Sequence, residues 1–174
     1  IDDNLLEYLE VVKQGPTLKI GLESGRAYNI RRATMEAEVT MPELTGLALS
    51  GATQGTITGF KSTERLDVDV SGASQLRGDI EADDAHFEVS GASQVTLSGS
   101  AGDVTIHASG ASTANLADFA VGDADVEASG ASTVTVNPSG RLDAVASGAS
   151  TIFYLGNPTL GNIDTSGVSS VKRK

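Results

Sequence analysis

The sequence predicts an all-β fold, a single-stranded parallel β-helix built from coils of about 20 residues. Three observations carry this. The motif "SGAS" begins at Ser71, Ser90, Ser109, Ser129 and Ser147, with near-copies "SGAT" at Ser50 and "SGVS" at Ser166. The residues before each copy alternate apolar and polar, as a strand with one buried face does. No interval between copies holds the helical periodicity that a βαβ unit needs.

The successive first serines are 21, 19, 19, 20, 18 and 19 residues apart. A period that persists in this way marks a solenoid. One position before the serine stand Leu49, Val70, Val89, Ala108, Ala128, Ala146 and Thr165. Three before it stand Leu47, Val68, Phe87, Ile106, Val126, Ala144 and Ile163. The intervening positions, two and four before it, are mostly polar, among them Asp67, Asp69, His86, Glu88, Asp125 and Glu127. A second strand follows the motif, with Leu76, Val95, Val134 and Ile152 five places after the serine and Leu97, Leu116, Val136 and Tyr154 seven after. Gly-Asp turns then lead to the next copy at Gly78-Asp79, Gly102-Asp103 and Gly122-Asp123, with Gly161-Asn162 closing the series.

SGAS therefore marks a corner between two strands. The corner positions are Ser71, Gly72, Ser90, Gly91, Ser109, Gly110, Ser129, Gly130, Ser147 and Gly148. Glycine admits the backbone angles of a tight bend and lets chains approach closely. Coils stack at roughly 4.8 Å, so like residues lie above one another. On this reading the alanine fills a thin part of the interior, and the hydroxyls bond along the column or to backbone. A row of catalytic serines is not expected, because no histidine recurs with them and a nucleophilic serine needs a base.

The whole chain, 1–174, is expected to be a single β-helix domain, with an N-terminal cap and irregular coils over 1–46 and regular coils over 47–174. Leu18, Ile20 and Leu22 alternate, as do Ala37, Val39 and Met41, so the solenoid is expected to begin before Ser50. "NLLEYLEVVKQG", residues 4–15, reads as a cap for the open end, strand or helix. The basic Lys172-Arg173-Lys174 would discourage stacking at the other end.

The chain has 174 residues, no cysteine and no tryptophan, and a net charge of −11. Disulfides and Cys-ligated metals are excluded. Between Arg77 and Arg141 there is no lysine or arginine, while acidic residues are frequent. Such a body is unsuited to phosphate backbones, and anionic polysaccharides would be repelled. No apolar run reaches the length of a membrane helix. The sequence opens at Ile1 rather than Met, as a mature or trimmed fragment would.

The SGAS corners, the "NLL" and "GPTLKI" opening, "MPELTGLALSGAT" at 41–53 and the ending "SGVSSVKRK" resemble the bacterial putative auto-transporter adhesins of the head GIN domain family. The resemblance implies an exported protein, in the periplasm or on the cell surface, lipid-anchored through a removed N-terminus, with a β-helical fold. The right-handed winding follows from the family and from the usual crossover preference. The family offers no catalytic residues to carry over.

Function is then expected to be structural or adhesive, with flat faces presented to a surface glycan or protein and no catalysis. The alternative is a polysaccharide-active enzyme, a pectinase-like hydrolase or lyase using surface carboxylates, since stacked acids approach the spacing of a retaining pair. Self-assembly into a homo-oligomer through the flat faces is a third reading. No cofactor is expected. Candidate Ca²⁺ ligands are Asp67, Asp69, Glu88 and Asp125, weighed against a solvated acidic face. His86 and His107 occupy neighbouring polar columns, out of register, and two such ligands do not define a zinc site. Phe60, Phe153 and Tyr154 are the few aromatic candidates for sugar stacking. Thr-x-Thr pairs stand at Thr56/Thr58 and Thr133/Thr135 without continuing on adjacent coils.

Overall fold

A computed structural model describes residues 3–23 and 35–174. Residues 24–34, inside the segment expected to hold the cap and irregular coils, lie outside the described residues. The chain divides into two compact units, Ile1–Met41 and Pro42–Lys174.

In the first unit a 3₁₀ turn, Asp3–Tyr8, leads into strand β1, Leu9–Gln14, and then β2, Thr17–Leu22. The two strands pair antiparallel, with Leu9 opposite Leu22 and Gln14 opposite Thr17. The segment 4–15 thus holds both a short helical turn and a strand. Gly15-Pro16 form a two-residue loop, with Gly15 at φ 60°, as a hairpin turn with glycine first requires. The alternation of Leu18, Ile20 and Leu22 therefore belongs to a hairpin rather than to a coil. Ala37, Val39 and Met41 lie in no strand. Alternation identifies an extended chain but not its partner, and here the partner is local.

The second unit is a parallel β-helix. Its first sheet comprises β3 (Gly46–Leu49), β5 (Leu66–Val70), β7 (Ala85–Val89), β9 (Val104–Ala108), β11 (Ala124–Ala128), β13 (Arg141–Ala146) and β15 (Thr159–Thr165). The second comprises β4 (Gln54–Lys61), β6 (Gln75–Glu81), β8 (Gln94–Ser100), β10 (Thr113–Val121), β12 (Thr133–Pro138), β14 (Thr151–Tyr154) and β16 (Ser170–Arg173). Each is a seven-stranded sheet in which every strand pairs with its equivalent one coil away. The first strand of a coil precedes the SGAS corner and the second follows it.

The apolar columns face inward. Leu66, Val70, Phe87, Val89, Ile106 and Val126 from the first sheet are almost wholly buried, as are Leu76, Val95, Leu116, Val134 and Ile152 from the second. Phe87 and Phe119 meet edge-to-face across the core, 6.0 Å between ring centres. Leucines such as Leu66, Leu97 and Leu142 and smaller Val, Ile and Ala side chains fill the rest. At roughly 4.8 Å per coil, each sheet rises about 30 Å along the coil axis.

The corner differs from expectation in one detail. Ala73, Ala92, Ala111, Ala131 and Ala149 are exposed. The second serine of each motif points inward instead: Ser74, Ser93, Ser112, Ser132 and Ser150 are at most 1% exposed. The reason lies in the glycine. Gly72, Gly91, Gly110, Gly130 and Gly148 all have φ between 72° and 75°. That left-handed residue reverses the facing of the next two, turning alanine out and serine in.

Candidate functional site

The solenoid presents three sets of stacked polar groups: a buried serine file, an aspartate file at the opposite corner and the outer faces of the two sheets.

The serine file is structural. The Ser132 hydroxyl donates to the Ser129 carbonyl at 2.8 Å and approaches the Ala108 carbonyl of the preceding coil at 3.3 Å. Ser150 reaches Ser147 at 2.8 Å and Ala128 at 2.9 Å. These hydroxyls satisfy carbonyls at the bend, where the ladder geometry breaks, and so seal the corner. Glycine stacks on glycine outside them. A Cβ on Gly110 would lie 2.6 Å from the Gly91 carbonyl oxygen, and one on Gly148 2.7 Å from that of Gly130. The serines thus face backbone rather than a substrate.

At the other corner, where the sequence showed Gly-Asp turns, the aspartates form a second file. Asp84 Oδ1 accepts the Asp103 N–H at 2.8 Å, Asp103 Oδ1 accepts that of Asp123 at 2.8 Å, and Asp123 Oδ1 accepts that of Arg141 at 2.7 Å. The file ends at Arg141; two residues farther along β13, within the sheet, Asp143 makes a similar cap by accepting the Asn162 N–H at 2.6 Å. Each carboxylate thus caps the main chain of the next coil. Arg141 also clasps Asp143 with both Nε and Nη2. That hydrogen-bonded pair, with the Asn162 N–H, lowers the Asp143 carboxyl to about 2 and raises the Arg141 guanidinium.

The outer face of the first sheet is acidic. One column runs Asp67, His86, Thr105, Asp125, Asp143 in register, and the other Asp69, Glu88, His107, Glu127, Val145. Of the candidate Ca²⁺ ligands, Asp69 and Glu88 are register neighbours and Asp67 shares β5 with Asp69. Asp125 stands two coils from Glu88 and in the other column, roughly 10 Å away along the axis. Asp67 is also held by Arg65 at 2.8 Å. Among the described residues no group of three or more His, Asp or Glu side chains is placed to hold a metal ion. His86 and His107 stand in different columns yet meet as rings 5.5 Å apart, edge to face. His107 Nδ1 lies 3.1 Å from Glu127 Oε2. A shallow depression beside this pair is bounded by Ser109, Ser129, Val145 and Ser147.

The outer face of the second sheet has a different chemistry, which alignment on SGAS alone did not bring out. Its first column runs Gln54, Gln75, Gln94, Thr113, Thr133, Thr151, then Ser170. Its second runs Thr56, Arg77, Thr96, Asn115, Thr135, Phe153, then Lys172. These two columns carry amides, hydroxyls, the Phe153 ring and two cations, Arg77 and Lys172, and no carboxylate. Reading five and seven places after each serine found the inward residues. The outward ones sit at four and six, and only pairing makes them a surface.

Two parallel sheets closed by stacked corners, without a helical crossover, define a β-solenoid. The family model for the putative auto-transporter adhesin, head GIN domain, matches residues 1–158. The chain belongs to that family. A putative adhesin from Bacteroides fragilis, known from its crystal structure, superposes with a TM-score of 0.89, covering 99% of this chain and 79% of that one at 21% identity. At that identity the likeness speaks for the fold. Among curated proteins none matches this sequence.

Proposed function

We propose that the chain is an adhesive module of an exported protein, displaying flat β-helix faces to a glycan or protein at the cell exterior, without catalysis. The observation that carries this reading is the pair of seven-stranded parallel sheets, whose outward side chains stand in register on every coil. Such a scaffold repeats the same spacing along one axis, so weak contacts at successive coils sum when a ligand spans several of them. Membership of an adhesin-like family supports the same role. The polar files at the two corners are engaged with backbone, which leaves the sheet faces as the surfaces open to a ligand.

The test is binding by the purified chain to a glycan array and to immobilised surface proteins. Saturable binding to at least one class is expected, with no new reducing or unsaturated ends released from any glycan. A chain that neither binds any of these ligands nor attaches to cells would refute the adhesive reading, and turnover of a glycan would replace it with an enzymatic one.

A further inference from the structure

We infer that the outer face of the first sheet binds a divalent transition-metal ion, with His86 and His107 as its two protein ligands, an inference that goes beyond the adhesive reading and does not rest on it. It starts from a contact that the columns hide. His86 lies on β7 in register with Thr105, and His107 lies on β9 in register with Glu88, so the two histidines are diagonal neighbours on adjacent coils. Their rings meet all the same, with centres 5.5 Å apart. A ring nitrogen ligates zinc at about 2.05 Å and the ring centre lies about 1.1 Å beyond it, so two rings sharing one tetrahedral ion stand about 5.2 Å apart. The observed spacing is close to that value. The ring planes lie at 66°, and an imidazole turns about χ2 with its centre nearly fixed. Aiming both rings at one ion therefore needs no movement of the backbone.

Glu127 supplies the second observation. Its Oε2 lies 3.1 Å from His107 Nδ1. An ionised carboxylate only accepts, so Nδ1 carries the proton in this contact and Nε2 of the neutral ring keeps its lone pair. A carboxylate behind the far nitrogen is the usual support of a metal-ligating histidine, because it fixes the tautomer and the direction of the ring. His107 is thus held in place, and His86 is the ring that turns. Both side chains are half-buried, open enough for an ion to reach them. Among the described residues no group of three or more His, Asp or Glu side chains is placed to hold an ion, so the protein supplies two ligands and water completes the shell.

Ligand type selects the ion. Imidazole nitrogen suits Cu²⁺, Zn²⁺ and Ni²⁺, whereas Ca²⁺ takes several oxygen ligands. The carboxylates around the pair act through their charge. Asp69 and Glu88 stand in the column of His107, and Asp125 stands in that of His86. Their field raises the local concentration of any cation, and the two nitrogens decide which one stays.

The test is calorimetric titration of the metal-free whole chain with Zn²⁺ and with Cu²⁺, joined to the electron paramagnetic resonance spectrum of the Cu²⁺ form. One ion per chain is expected, with two nitrogen ligands in the spectrum and Cu²⁺ held more tightly than Zn²⁺. His86→Ala and His107→Ala should each weaken binding at least about tenfold. Glu127→Ala, which releases the His107 ring, should weaken it about tenfold. Asp69→Asn with Asp125→Asn removes two charges from the same face but leaves the pair intact, and should stay within about threefold. His86→Gln and His107→Gln serve where a melting curve shows that an alanine variant does not fold. An excess of Ca²⁺ should leave the Zn²⁺ isotherm unchanged. Failure of both ions to bind overturns the site. So does binding that survives either histidine change, or that Ca²⁺ or the paired Asp69 and Asp125 changes abolish, since the ion would then sit on carboxylates.

Discussion

The two corners of a coil solve the same problem with different chemistry. At each, the chain leaves one sheet for the other and its backbone groups need partners from the neighbouring coil. The SGAS corner uses glycine at φ near 72° and a buried serine hydroxyl. The aspartate corner uses an exposed carboxylate that receives the N–H of the coil above. Glycine occurs at both for different reasons. Gly110 needs its positive φ, whereas Gly122 has an ordinary φ but lies where a Cβ would sit 2.8 Å from the Gly102 carbonyl oxygen. The difference is water. Inside the serine corner nothing replaces a lost partner, and outside at the aspartate corner solvent does. Burial rather than bond count should set the cost of each change.

The largest effect is expected from Gly110→Ala. The methyl must adopt the left-handed region and displace the Gly91 carbonyl, so unfolding in urea should show a loss of about 2–4 kcal/mol. Gly51→Ala separates the two causes. Gly51 has φ 77° but nothing within 4 Å of an added Cβ, so it should cost only the conformational part, about 1–2 kcal/mol. Equal losses at both positions would mean that the stacked contact contributes nothing.

The next effect sharpens the serine side. Ser132→Ala removes the hydroxyl that serves the Ser129 carbonyl and should cost about 1–2 kcal/mol. Ser93 is equally buried, but its Oγ has no hydrogen-bond partner. Ser93→Ala should therefore be neutral or slightly stabilising in the same denaturation experiment. If both cost the same, the serine file is about volume and not hydrogen bonding. At the aspartate corner, Asp103→Ala deprives the Asp123 N–H of its acceptor at an exposed site, so a loss of no more than about 1 kcal/mol is expected.

How much of this could be read from the residues alone follows from where the information sits. Fold and coil boundaries were legible because the apolar columns, such as Val70, Val89 and Ala108, repeat with the motif, and burial imposes that repetition. The facing of the corner was not. Ala and Ser are both small, and only the glycine φ decides which turns inward. The hairpin was misread as a coil because Leu18, Ile20 and Leu22 alternate in any strand, parallel or antiparallel. The aspartate file was visible only as turn residues, since the cap runs to a residue 18 to 20 positions away. The carboxylate-free face of the second sheet escaped because its columns are defined by unlike residues, Gln then Thr, that a search for repeated letters does not align.

The smallest effect is the acid dependence of Asp143, whose carboxylate caps the next coil from within the first sheet as the corner aspartates do from the bend. Its carboxyl titrates at about 2 in the folded chain, against about 3.9 when unfolded. A lowered folded value means the stabilisation is fully present above about pH 4 and is lost as pH falls through about 2. Asp143→Asn removes that titration while leaving the other carboxylates in place, so their contribution cancels in the difference between the two proteins. The melting temperatures should therefore differ by a constant amount above about pH 5 and converge between about pH 4 and pH 2. Arg141 keeps its charge throughout this window, so Arg141→Gln should show the same convergence if the clasp is what lowers Asp143. Were the gap from Asp143→Asn to persist unchanged at pH 2, the carboxylate would be holding the Asn162 N–H by shape alone, and charge would contribute nothing to this exposed cap.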